Sequence, residues 1–170
     1  MRKLMLFFII LLLAAGCVAA PEKGPENGAP TFSYEDLQGK MWSLPELRGK
    51  VVALYFWTGS CGVCVAKLPE LSALEKQLPE DVYLLLLNAD DSRERIEELI
   101  GDAPLTVLMN TMNSFRDYKV AYVPTTVFIN REGEVASVQV GFITNEKPPL
   151  KEPPLAVFFN PESRGIKSKK

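Results

Sequence analysis

Short runs of apolar residues alternate along the chain with longer segments in which apolar residues recur every three or four positions. A continuous apolar run of about seven residues is too short for most helices and is typical of a strand buried on both faces of a sheet. The predicted strands are residues 51–57 (VVALYFW), 82–88 (VYLLLLN), 105–109 (LTVLM), 125–130 (TTVFIN) and 134–140 (EVASVQV).

Helical spacing occupies the segments between these strands. In the first segment, apolar residues at positions 65, 68, 71, 74 and 78 share one helix face, and Pro69 is expected to kink that helix. Asp91 or Ser92 is expected to cap the start of the second helix. The predicted helices are residues 62–78, 92–100 and 113–119.

Two hairpins complete the pattern. The last two strands flank residues 131–133 (REG), and residues 31–47 carry a turn at 38–40 (QGK) between two short segments. Strands that alternate with helices and then close on a hairpin predict an α/β fold. We therefore expect a central mixed β-sheet flanked by helices, with an N-terminal β-hairpin extension.

The N-terminus has the form of a secretory signal. Arg2 and Lys3 precede an apolar run over residues 4–15, which is shorter than the about 20 residues that a membrane-spanning helix needs. The run ends in Leu-Ala-Ala-Gly before Cys17, which resembles the lipobox of bacterial lipoproteins. This resemblance implies a signal peptide over residues 1–16 and a lipid anchor on Cys17. An ordinary signal peptide with an incidental cysteine is the alternative.

The rest of the chain divides by composition. Residues 17–30 form a predicted lipid-anchored linker, residues 31–143 the folded domain, and residues 144–170 a Pro-rich and basic tail. Without Arg2 and Lys3, the 19 basic residues fall to 17 against 21 acidic ones, a net charge of −4. This balance gives no indication of a nucleic-acid partner.

Cys61 and Cys64 are the other two of three cysteines, and the chain has no histidine. They lie where the first buried strand ends and the long helix begins, three positions apart, so a disulfide can close between them. Cys61, at the helix N-terminus, is expected to be stabilised as a thiolate, and Cys64, one turn inside, to be more buried. This asymmetry suits a redox pair in which Cys61 attacks a disulfide and Cys64 releases the product.

Three other interpretations of the pair are weaker. A structural disulfide with two intervening residues would constrain little chain entropy. A zinc site usually has four Cys or His ligands, and with no histidine and no second cysteine pair the chain gives no metal site. Two incidental core cysteines are a minority interpretation, because the strand-to-helix setting argues against coincidence.

Further motifs resemble the thioredoxin fold. They are Phe56 and Trp57 before the CGVC sequence, Pro69 in the following helix, and VPTT at residues 123–126. The segments APTF at 29–32 and LRGKVV at 47–52, with Asn130, Gly133 and Gly141 in the closing hairpin, are similar to membrane-anchored bacterial thioredoxins of the TlpA/ResA type. The resemblance covers residues 28–142.

The resemblance implies roles for three residues around the pair. Pro124 would be a cis-proline packed beside the cysteines, and the backbone of Val123 would pair with an extended substrate segment. Trp57 would shield the site and contact substrate, although an aromatic residue at the end of a buried strand is also an ordinary core residue.

Other positions depart from the family pattern. Tyr55 stands where cytoplasmic thioredoxins have a buried aspartate, and Lys67 where TlpA/ResA-type proteins often have a glutamate, so both are candidate modulators of the cysteine pKa values. An ammonium at position 67 would favour the thiolate and make the pair more oxidising. Four prolines in residues 145–154 exclude a regular helix, so the usual C-terminal helix is expected to be missing.

These features predict an extracytoplasmic, lipid-anchored thiol–disulfide oxidoreductase of a bacterial cell envelope, on its periplasmic or outer side. By resemblance it would reduce protein disulfides, with those of apocytochrome c as one candidate, and be reduced again by a membrane electron-donor protein. It would act as a monomer and need no cofactor beyond its own disulfide. A peroxiredoxin-like thiol peroxidase, suggested by Thr58 before Cys61, and a thiol or copper-binding module are the alternatives. Leu54 in place of an expected proline weakens the first, and the lack of His or Met near the pair weakens the second.

Overall fold

The computed structural model describes residues 28–141. In chain order its elements are β1 (Ser33–Glu35), β2 (Met41–Ser43), a 3₁₀ turn (Leu44–Leu47), β3 (Val51–Trp57), α1 (Gly62–Glu75), β4 (Val82–Asn88), α2 (Arg93–Ile100), β5 (Thr106–Leu108), α3 (Met112–Asp117), β6 (Thr125–Ile129) and β7 (Val135–Val140). Every predicted strand and helix is present, and both predicted hairpins form.

The main difference from the predicted bounds is the end of α1, which comes at Glu75 and not at Leu78. Beyond Glu75 the chain makes tighter i→i+3 bonds, in which Leu78 N donates to Glu75 O. Pro79 follows, and a residue before proline is disfavoured in the helical region. Ser92 is the cap of α2, because its side chain accepts a hydrogen bond from Arg95 N at 3.3 Å.

The five-stranded sheet has the order β5-β4-β3-β6-β7. Strands β3, β4 and β5 are parallel, and β6 and β7 are antiparallel to their neighbours, so the sheet is mixed as predicted. The parallel strands therefore end at the same edge of the sheet at which β6 begins. Loops from that edge carry the functional site.

Two buried clusters cover the two faces of the sheet. One cluster lies under α1 and α2, and the other lies under the N-terminal hairpin and α3. The first includes Ala53, Tyr55, Trp57, Cys64, Leu68, Leu71, Leu84, Leu86, Ile96 and Phe128. The second includes Phe32, Leu44, Val52, Leu54, Phe56, Leu85, Leu87, Phe115 and Val127. Alternate residues of β3 and β4 point to opposite faces, which explains why both strands are apolar nearly throughout.

The N-terminal hairpin is held by the buried carboxylate of Asp36. Its oxygens accept hydrogen bonds from the backbone N–H groups of Gln38 and Lys40, both at 2.9 Å, and from Trp42 Nε1 at 2.7 Å. Burial raises the pKa of Asp36, but these three hydrogen bonds outweigh it and lower the pKa below its usual value. A bridge between Asp36 and Leu108 joins the hairpin to β5.

Several predictions fall outside residues 28–141. These are the signal peptide, the lipid anchor at Cys17, most of the linker, and the missing C-terminal helix with the tail. Within the described residues, none of the helices combines the length and the apolar character required to cross a bilayer.

Candidate active site

The two cysteines lie at the junction of β3 and α1, as predicted. After β3, residues 58–61 form a turn closed by a hydrogen bond from Cys61 N to Thr58 O at 3.2 Å. Cys61 is the N-cap of α1 and Cys64 lies in its first turn. Their Cα atoms are 5.2 Å apart, and the side chains are joined in a disulfide.

The two sulfur atoms have different environments. Cys61 is half-buried, and its Sγ accepts a hydrogen bond from Cys64 N at 3.2 Å. Cys64 is fully buried among the core residues under α1. In the reduced state the N–H groups and dipole at the helix start favour a thiolate on Cys61. A substrate can thus reach Cys61 directly, while Cys64 lies behind it.

The loop before β6 faces Cys61 from the other side. The Val123–Pro124 peptide bond is cis, and Val123 O lies 3.8 Å from Cys61 Sγ. Two hydrogen bonds fix this loop, from Thr125 Oγ1 to Tyr122 O and from Gly141 N to Pro124 O, both at 2.7 Å. The structure therefore brings Cys61, Cys64, Val123 and Pro124 together.

A family model described as AhpC/TSA family matches residues 25–138, which is more than half of the chain. The chain belongs to the AhpC/TSA family. Among its relatives, the thiol-disulfide oxidoreductase ResA of Bacillus subtilis is 32% identical over 122 residues, covering 69% of this chain and 68% of that protein. The sporulation thiol-disulfide oxidoreductase A of the same organism is 29% identical over 161 residues, covering 89% and 95%.

Solved structures agree with the sequence relatives of this AhpC/TSA-family protein. The pneumococcal exposed lipoprotein thioredoxin of Streptococcus pneumoniae aligns with a TM-score of 0.60 at 26% identity, covering 66% of this chain and 90% of that one. The domain has the thioredoxin fold. Relatives named as thiol–disulfide oxidoreductases, together with the Cys61–Cys64 pair, establish the AhpC/TSA-family protein as an oxidoreductase of thiols and disulfides.

Trp57 and Tyr55 lie behind the cysteines in the core and not at the surface of this AhpC/TSA-family protein. Trp57 is 0% exposed and Tyr55 is 2% exposed. Trp57 therefore offers no surface to a substrate, which favours its interpretation as a core residue. Burial, and to a lesser extent the Glu70 carboxylate, raises the pKa of Tyr55. Tyr55 is therefore uncharged near neutral pH, unlike the aspartate whose position it takes, and its influence on the cysteine pKa values stays a prediction.

The ammonium of Lys67 has a partner on its own helix. Lys67 Nζ lies 2.6 Å from Glu70 Oε2, one turn further along α1, and both side chains are partly exposed. The Glu70 carboxylate offsets part of the field that the lysine exerts on the disulfide, and solvent screens part of the rest. The two charges therefore have to be tested together.

We predict opposite shifts of the reduction potential for Lys67→Glu and Glu70→Gln. Lys67→Glu replaces a positive by a negative charge three positions after Cys64, which disfavours thiolates and lowers the potential by about 10–30 mV. Glu70→Gln removes the opposing carboxylate and raises the potential. Titration in glutathione buffers measures both. If neither variant differs from the wild-type protein, the charges are screened and do not act on the pair.

Glu75, at the end of α1, is a carboxyl group in a partly buried position. Its Oε2 is buried and makes no hydrogen bond to the described residues. Burial raises the pKa of Glu75 from 4.5 to about 7. Because the folded-state pKa lies above the unfolded value, the folded protein favours the protonated form of Glu75. The contribution of this group to the free energy of unfolding is therefore complete below pH 4.5. It is lost as the pH rises through about 7.

We predict that Glu75→Gln stabilises the protein at pH 8 and has little effect at pH 4.5. The expected gain in the free energy of unfolding is about 1 kcal/mol, discounted because the side chain is only partly buried. Urea unfolding at the two pH values measures it, with the exposed Glu80→Gln as control. An equal change at both pH values would contradict a titrating Glu75.

Sequence patterns did not reveal a hydrogen-bond network beside the turn that carries Cys61. Asp91, predicted as a candidate helix cap, instead accepts hydrogen bonds from Gly59 N and from Asn88 Nδ2. The only sequence signal was a glycine between a buried strand and a cysteine. For metals, no cluster of three or more His, Cys, Asp or Glu side chains lies together within residues 28–141.

Proposed function

We propose that the protein reduces disulfides of other proteins outside the cytoplasm, with Cys61 as the attacking thiol and Cys64 as the resolving thiol. This proposal rests on the arrangement of residues around Cys61 and Cys64. Cys61 is accessible at a helix N-terminus, Cys64 is fully buried behind it, and Val123 O lies 3.8 Å from Cys61 Sγ. Only Cys61 can meet a substrate disulfide without rearrangement of the core.

The reaction runs in two exchanges. The Cys61 thiolate attacks one sulfur of the substrate disulfide, a mixed disulfide forms, and the second substrate sulfur leaves as a thiolate that takes a proton from solvent. Deprotonated Cys64 then attacks Cys61 Sγ, closes the internal disulfide and expels the first substrate sulfur, which is protonated in turn. Two electrons and two protons pass to the substrate, and an external dithiol must reduce the protein again.

The substrate is proposed to bind as an extended segment along residues 121–123. The backbone of Val123 would pair with it by strand addition, which brings the substrate disulfide to Cys61. Exposed apolar side chains support this surface, since Val63 is 49% and Tyr122 73% exposed. By the TlpA/ResA resemblance, apocytochrome c cysteines are one candidate substrate.

We further propose that a lipid on Cys17 anchors the protein to the bacterial cell envelope. There it would act as a monomer, and a membrane dithiol protein would reduce its disulfide again. Support comes from the lipobox-like sequence and from the solved neighbour that is named an exposed lipoprotein thioredoxin. One lipid chain binds a bilayer only marginally, so several chains are needed for firm anchoring. Cys17→Ser is expected to move the protein from the detergent phase to the aqueous phase; unchanged partitioning would contradict the anchor.

The direction of electron flow is tested by the potential of the Cys61–Cys64 couple in the full chain in detergent. A reductase is expected to have a potential below about −200 mV, and to speed insulin-disulfide reduction by dithiothreitol. A value near about −120 mV, as for strong oxidants, would overturn the reductive direction. Peroxide consumption or copper retention that depends on both cysteines would favour the two alternative activities.

A further inference from the structure

The turn before Cys61 is hydrogen-bonded to the carboxylate of Asp91, which lies 32 positions after Gly59 and next to the end of β4. Asp91 Oδ2 accepts hydrogen bonds from Gly59 N, two residues before Cys61, and from Asn88 Nδ2 at 2.7 Å. Asp91 N in turn donates to Asn88 Oδ1 at 2.9 Å. Asp91 therefore joins the active-site turn to the end of β4.

Asn88, the partner of Asp91, is itself held by hydrogen bonds. Asn88 is fully buried, and its carbonyl oxygen accepts hydrogen bonds from Thr111 Oγ1 at 2.7 Å and Thr111 N at 3.2 Å. Ala89 N donates to Trp57 O at 3.3 Å, so the segment after β4 also holds the end of β3. Asp91 thus binds to a segment that is hydrogen-bonded to both β3 and Thr111.

Gly59 lies in direct contact with Asp91. A Cβ atom at Gly59 would lie 2.8 Å from Asp91 Oδ1 and 2.9 Å from Leu99 Cδ1, closer than real Cβ atoms approach. The turn therefore packs closely against the side chains of Asp91 and Leu99, and one or both of them would have to move to admit a Cβ atom at Gly59. The close contact with Gly59 and the hydrogen bond from Gly59 N both indicate that the Asp91 side chain holds this turn in place.

We propose that Asp91 is a positioning residue for Cys61, a role that rests on the proposed attack by the Cys61 thiolate. Asp91 accepts a hydrogen bond from Gly59 N and so fixes the turn over residues 58–61. This is the turn that the hydrogen bond from Cys61 N to Thr58 O closes. Asp91 thereby keeps Cys61 Sγ aligned with the N–H of Cys64 and close to Val123 O. Loss of the hydrogen bond between Asp91 and Gly59 would move the Cys61 thiolate out of line with the N-terminus of α1, which stabilises it.

The negative charge of Asp91 and its hydrogen bond to Gly59 have opposite effects on the ionisation of Cys61, so variants can separate them. A carboxylate near Cys61 disfavours its thiolate, so removal of the charge alone lowers the pH at which Cys61 ionises. Loss of the hydrogen bond raises that pH. Asp91→Asn removes the charge but keeps an oxygen acceptor, Asp91→Ala removes both, and Asp91→Glu keeps the charge but displaces the acceptor by one methylene group.

The experiment measures the pH profile of Cys61 alkylation by iodoacetamide in the full chain carrying Cys64→Ser, with Cys61 followed by peptide mass spectrometry. We expect Asp91→Ala and Asp91→Glu to raise the midpoint by half to one pH unit and to slow attack on a model disulfide about tenfold at pH 7. Asp91→Asn should stay within about twofold of the parent rate. The exposed neighbour variant Asp90→Ala is the control.

Several outcomes would overturn the proposal. A lower midpoint in Asp91→Ala would mean that only its charge matters. An unchanged midpoint with a lower melting temperature would mean that Asp91 serves stability alone. If Asp91→Ala does not fold, an unchanged midpoint in Asp91→Glu decides against positioning. Because alkylation needs no protein substrate, a failure of the proposed reductase function would appear separately, in the insulin assay.

Discussion

Replacing Cys64 by serine is expected to stop the reaction at the mixed disulfide, with the substrate covalently held by Cys61. Cys61 keeps its place as the N-cap of α1 and its access to solvent, so the first exchange still runs. The buried thiol that would attack Cys61 Sγ is gone, so the second exchange cannot occur. Non-reducing electrophoresis followed by mass spectrometry should show adducts joined through Cys61.

Cys61→Ser should abolish turnover and trap almost no substrate. A serine hydroxyl cannot replace the thiolate in exchange, and Cys64 is fully buried, out of reach of a substrate disulfide. We expect insulin reduction to fall at least about 10³-fold, to the level of the variant that lacks both cysteines. Adducts through Cys64 in Cys61→Ser, and none through Cys61 in Cys64→Ser, would reverse the two roles.

The core of the fold could be predicted because each element has a local signal. The seven residues of β3 and those of β4 are apolar nearly throughout, and that pattern at that length is typical of a strand covered on both faces. The spacing of Cys61 and Cys64 likewise placed both thiols on one side of a helix start. The end of α1 was less predictable, because Leu78 continues the apolar period although the helix already ends at Glu75.

The fine structure of the site depends on contacts between distant segments, which periodicity does not encode. Asp91 meets Gly59 across 32 positions, and an acidic residue before a helix is ordinarily a cap. The Lys67–Glu70 pair was within reach of sequence reasoning, since residues three apart on a helix are neighbours. The cis bond before Pro124 was expected from family resemblance alone.

The burial of Trp57 favours a core role over a substrate-binding role, and predicts a large loss of stability in Trp57→Ala. The side chain is 0% exposed and lies in the same cluster as Cys64 and Leu68. Truncation of a buried Trp leaves a cavity and costs about 3–5 kcal/mol. Since whole domains are stable by only about 5–15 kcal/mol, urea unfolding should show a loss of about a fifth or more of the total.

Trp57→Phe is the matched control, because it keeps an aromatic ring in the core and loses no hydrogen bond. Trp57 Nε1 is buried and makes no hydrogen bond to the described residues, so its removal leaves no partner unsatisfied. We expect this variant to lose less than about 1.5 kcal/mol and to keep the KM for insulin. A KM that rose severalfold in Trp57→Phe while stability stayed unchanged would instead show that the indole contacts substrate in an opened form of the site.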